Sequence, residues 1–81
     1  MIYKLFTRYN DGQCRTSWAN DQNHAVERMK TIAKDVKVSS ISCHPTIANQ
    51  DGYLVESEDA RWLLLQRLPH MGENYTIEFN N

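Results

Sequence analysis

The sequence predicts an α+β fold: a mostly antiparallel sheet of four to five strands with two helices on one face, in the order β-β-α-β-(β)-α-β. Three observations carry this prediction. Residues 2–19 alternate apolar and polar about a central Asp11-Gly12 pair, which is a hairpin pattern. Residues 22–34 repeat their apolar positions every three or four residues, which is a helical period. Residues 57–69, SEDARWLLLQRLP, combine a helix-start signal, an apolar body and a terminal proline. Helices separated by strands, with a hairpin present, fit an α+β domain whose second sheet face is left open to water or to a partner.

With a two-residue turn at Asp11-Gly12, Tyr9 faces Cys14, Thr7 faces Thr16 and Leu5 faces Trp18. Residues directly opposite share a face of the sheet. Tyr3, Leu5, Thr7, Tyr9, Cys14, Thr16 and Trp18 are therefore expected in the core. Ile2, Lys4, Phe6, Arg8, Arg15, Ser17 and Ala19 are expected on the outer face, which is basic with an aromatic at its centre.

Asn20-Asp21 offers a cap to a helix from about Gln22 to Lys34, with Ala25, Val26, Met29, Ile32, Ala33 and Val36 as its buried stripe. Residues 38–43, VSSISC, are β-branched and alternating, and Pro45 is expected to limit pairing beyond them or to mark an edge. Residues 48–52 have turn composition, and 53–55 read as a short returning strand. In residues 57–69, Ser57 is expected to cap the first turn, Glu58 and Asp59 to complement the helix dipole, and Pro69 to end the ladder. Ala60, Leu64 and Leu68 then form one stripe flanked by Leu63, and Trp62 falls off it beside Gln66. A loop over 70–74 leads to a last strand, 75–79, with Tyr75, Ile77 and Phe79 on one face.

Eighty-one residues are read as one domain, 1–81, just large enough for a single core. The apolar fraction of 41% and charged fraction of 23% suit a globular chain, and no apolar run approaches a membrane span. The first residues lack the pattern of a signal peptide, and two cysteines are too few for a disulfide scaffold. A reduced, cytoplasmic protein with no membrane partner is the expectation. Residues 1–44 carry seven basic against four acidic side chains, net +3, and residues 45–81 two against six, net −4. The asymmetry predicts a basic and an acidic side.

No catalytic set declares itself. Cys14, Cys43, His24, His44 and His70 show no metal-ligand spacing, so neither a metal nor a cofactor is expected. The glycines stand singly and make no phosphate loop. A small cysteine-dependent enzyme, with Cys43 activated by His24 or His70, is the weakest of three readings, and Cys14 on the expected core face beside Tyr9 reads as an inert thiol. The second is RNA or single-stranded nucleic-acid binding through the basic sheet face. The leading one is a non-enzymatic module that occupies a surface of a larger protein or ribonucleoprotein. It would use Lys4, Phe6, Arg8 and Arg15 on the sheet, or Trp62 and Leu65 on the second helix with Met71 extending the patch; the Trp62 side would also serve a homodimer.

In size and in lack of catalytic residues the chain resembles the small accessory proteins of phages and mobile elements, anti-CRISPR proteins among them. That resemblance implies an inhibitor of host defence.

Overall fold

The computed structural model describes residues 1–57, 60–67 and 74–80. In chain order the elements are β1 (Tyr3–Tyr9), β2 (Cys14–Ala19), α1 (Gln22–Ile32), β3 (Val38–Ala48), β4 (Leu54–Glu56), β5 (Trp62–Gln66) and β6 (Thr76–Asn80). Five strands form an antiparallel sheet in the order β2-β1-β3-β5-β6, and β4 pairs with the far end of β3. The class is α+β, as the sequence implies, with one helix among the described residues rather than two.

The second helix is replaced by strand β5. Leu63 and Leu65 are buried, whereas Trp62, Leu64 and Gln66 between them are not, which is the period of two. The segment misleads because it is apolar at both parities, although only the face carrying Leu63 and Leu65 is buried. Leucine's helix preference is a weak prior that cross-strand pairing to Ile41 and Cys43 overrides. No described helix begins at Ser57, whose amide donates to the carbonyl of Pro45 at 2.9 Å. The expected roles of Glu58, Asp59, Leu68 and Pro69 lie outside the described residues.

The first hairpin forms as expected but in a register one residue away. The Gly12 amide donates to the Tyr9 carbonyl at 3.0 Å and the Tyr9 amide to the Gln13 carbonyl at 2.8 Å, enclosing a three-residue loop of Asn10, Asp11 and Gly12. A two-residue loop would need positive φ at Asp11 as well; here only Gly12, at φ 88°, adopts it. The Asp11 carboxylate instead accepts from the Gln13 amide at 2.9 Å. Arg8 therefore faces Cys14, Phe6 faces Thr16 and Lys4 faces Trp18. A slip of one residue turns the whole second strand over. Ala19 is buried, while Cys14, Thr16 and Trp18, expected in the core, are exposed.

Asp21 caps α1 as expected, its carboxylate accepting from the His24 amide at 2.8 Å. Ala25 and Met29 of α1, with Ala33 just beyond it, meet Leu5, Ile41, Cys43, Leu63 and Leu65 in the core. The helix stops at Ile32, so Val36 falls in the following turn and is exposed. Arg67 holds that end of the helix against the sheet. Its guanidinium donates to the carbonyls of Ala33 (2.6 Å), Asp35 (3.0 Å) and Val38 (3.0 Å), where a cation suits the helix's negative end.

Strand β3 runs straight through Pro45, which is buried in the middle of the sheet. The Pro45 carbonyl accepts from Ser57, so its missing N–H also faces the β4–β5 side. That is where pairing breaks: β5 reaches Cys43 and β4 begins at Thr46. Pro45 thus sits where the neighbouring strand is interrupted.

Candidate functional site: an uncovered sheet face

Helix α1 packs on β1, β2 and β3 from one side. The pairing registers place three rows of outward side chains on the other. One row runs Trp18, Lys4, His44, Trp62, Asn80; the next Thr16, Phe6, Ser42, Leu64, Glu78; the third Cys14, Arg8, Ser40, Gln66, Thr76. Not one of these fifteen residues is buried. Among the described residues, no element packs on this face.

The first row has an aromatic character that the sequence reading missed. The His44 and Trp62 rings stack with centroids 4.6 Å apart and planes 19° from parallel. Trp18 stands at the opposite edge, 44% exposed, with Lys4 between it and His44. Phe6 lies one row below Lys4. The Lys4 ammonium is 3.8 Å from the Glu56 carboxylate, an exposed pair that sets position more than stability.

Of the expected site residues, Lys4, Phe6 and Arg8 share this face. Trp62 joins them, so two surfaces expected to be separate are one. Arg15 goes to the opposite side, because the register slip turns it over; its guanidinium lies 5.8 Å from the centre of the Tyr9 ring. Leu65 is wholly buried beneath α1 rather than beside Trp62, since adjacent strand residues point to opposite faces. With no helix here, the expected helix-borne dimer surface does not form. Met71 and His70 lie outside the described residues. The signal that could have found Trp18 was Asn10: an Asn-Asp-Gly tripeptide suits a three-residue loop as well as a two-residue one.

Among the described residues, neither cysteine sulfur hydrogen-bonds to a histidine. Cys43 is buried, and loss of solvation pushes its thiol up to about 11, so it is protonated at neutral pH. The neighbouring His44 projects from the other face. Cys14 is exposed, its sulfur 3.7 Å from the Gly12 carbonyl. The His24 ring nitrogen accepts from the Asn20 amide at 3.2 Å. Among the described residues, no three histidine, cysteine or acidic side chains gather around a point where a metal ion would sit. Three surface hollows, at the hairpin tip, below the end of α1 and along its exposed flank, include no residue of the open face. No described helix is long and apolar enough to cross a membrane.

No protein-family model, curated protein or solved structure matches this chain.

Proposed function

We propose that the chain is a non-enzymatic binding protein that seats its open sheet face on a larger protein. The observation that carries the reading is the row Trp18, Lys4, His44 and Trp62, with Phe6 beside it, none of them buried. Five strands about 4.8 Å apart make a platform roughly 20 Å on each side. Its flat footprint, ~400 Å², is about half of the ~800 Å² that one partner gives to a standard protein interface. Tryptophan and other aromatic residues, together with arginine, are the types that dominate such interfaces when they become desolvated.

Aromatics beside Lys4 and Arg8 on a bare sheet also support a second reading, stacking of single-stranded nucleic acid. Charge favours the first reading. Glu78 shares the face and Glu56 sits against Lys4, so two carboxylates offset two cations. A phosphate chain would therefore displace few counterions, and that release supplies most nucleic-acid affinity. A protein surface asks for no such excess.

The test is affinity capture from the native host with the wild-type chain and with a Phe6→Ser/Trp18→Ser variant, each with and without nuclease. The expected result is a defined protein that binds the wild type, resists nuclease and is lost from the variant. Retention that disappears with nuclease, and weakens steeply with salt, would replace this reading with the nucleic-acid one.

A further inference from the structure

The end of the molecule away from α1 has a different character. Among the described residues, β3 beyond Pro45 has only β4 and the N-terminal residues beside it, and the two strands form an arm. The molecule is 43 Å long against 22 and 20 Å across. All three residues of β4 are exposed. Of the exposed large hydrophobic side chains, Met1, Ile2, Ile47, Tyr53, Leu54 and Val55 gather here, Tyr53 being 72% exposed. A two-stranded ribbon is marginal in water unless its apolar side is covered.

The hydrogen-bond pattern says what kind of partner fits. Asn49 donates to the Tyr53 carbonyl at 2.8 Å and Ser57 to the Pro45 carbonyl at 2.9 Å. By the alternation of an antiparallel ladder, Ile47 and Val55 also exchange bonds. The N–H and C=O groups of Leu54 and Glu56 then face away from β3, along an edge that no other described strand pairs. The geometry points to a second copy of this chain pairing β4 with β4 about a two-fold axis at Val55. In that register Leu54 of each copy lies opposite Glu56 of the other, and each pair exchanges two bonds. No edge group is left over, a self-match that a two-fold dimer requires. Lys4 partly neutralises each Glu56, so the two carboxylates flanking the axis do not oppose the contact. Of the six apolar residues, Tyr53, Leu54 and Val55 lie on the pairing edge itself, whereas Met1 and Ile2 flank the other side of β3. The contact is therefore smaller than the ~800 Å² of a standard interface, and the dimer is expected to be weak and concentration-dependent. The open sheet face is left free, so the dimer would present two of them.

The two Val55 residues would form a non-hydrogen-bonded pair with Cα atoms ~4.5 Å apart. That distance falls within the span a disulfide bridges. The test combines sedimentation of the full chain over a wide concentration range with two variants. Leu54→Pro removes an outward-facing edge donor and spares the bonds inside the hairpin. Val55→Cys, in a Cys14→Ser background, asks for a cross-link at the axis. The expected results are a reversible dimer, its loss in Leu54→Pro with an unchanged circular dichroism spectrum, and a covalent dimer from Val55→Cys under mild oxidation. If Leu54→Pro fails to fold, the cross-link decides. A chain that stays monomeric at every concentration, including one that adsorbs to phosphatidylcholine vesicles as a monomer, overturns the proposal. So does a dimer that survives Leu54→Pro and yields no Val55→Cys cross-link.

Discussion

Replacing Arg67 with alanine removes the side chain that ties three carbonyls, those of Ala33, Asp35 and Val38, to the end of β5. A hydrogen bond from a charged donor contributes about 1.5–3 kcal/mol when desolvated. Arg67 is only partly buried, and water can reach some of the carbonyls it leaves behind. The expected loss is therefore about 2–4 kcal/mol, less than the sum of three independent bonds. For a chain this small that is a large share of a total stability of roughly 4–12 kcal/mol. Urea unfolding followed by far-ultraviolet circular dichroism would show it as a midpoint lowered by about 2–4 M, given a slope near ~1 kcal/mol/M. Arg67→Lys should recover only part, because an ammonium cannot span carbonyls set out for a planar fork. A loss under about 0.5 kcal/mol for Arg67→Ala would refute the view that this side chain clamps the helix to the sheet.

Three further outcomes follow from the same structure. Leu65→Ala should cost about 2–5 kcal/mol and Leu64→Ala about 1 kcal/mol or less, because one is buried and its neighbour faces out; a helix with the Ala60, Leu64, Leu68 stripe buried would reverse that order in chemical denaturation. Gly12→Ala should cost about 1–2 kcal/mol although nothing lies within 4 Å of the added methyl, since the cost is the positive φ; Gly12→Asn should recover much of it, and equal melting of all three forms would contradict the turn geometry. In the folded protein at pH 8 a thiol reagent should titrate Cys14 alone. The Cys43 thiol is raised from 9.0 to about 11, so its contribution to stability is fully present below pH 9 and is lost as pH climbs towards 11; a flat stability profile across that window would contradict its burial.

Where local and tertiary preferences agree, the sequence could be read directly. Asp21 caps the helix because a carboxylate can reach the amide of His24 from that position alone, and Ala25 and Met29 lie inward because four residues separate them. Lys4, Phe6 and Arg8 share a face because a strand's period is two whatever its partner. The failures occurred where the deciding fact lay far away in the chain. Residues 62–66 hold leucines at both parities, so only the pairing with Ile41 and Cys43, some twenty residues earlier, settles strand against helix. One extra residue in the loop at Asn10 decides whether Trp18 is hidden or displayed, and no local preference at Trp18 records it. His44 and Trp62 meet only once both strands are in place.

The placement of β3 has a consequence for how the chain acquires its structure. Its one flank is filled by β1, and the other by β5 up to Cys43 and by β4 from Thr46. Joining Tyr3 to Pro45 closes a long intervening chain, and no hairpin turn can guide it. The β1–β2 pair can form while the polypeptide is still short, but the middle of the sheet must wait for distant segments to arrive. Such nonlocal closure places refolding towards the slower, millisecond-to-second end of the range for small domains. A ribosome halted before Trp62 has emerged would expose an unfinished sheet whose longest strand is unpaired from Ser40 to Cys43 on one side.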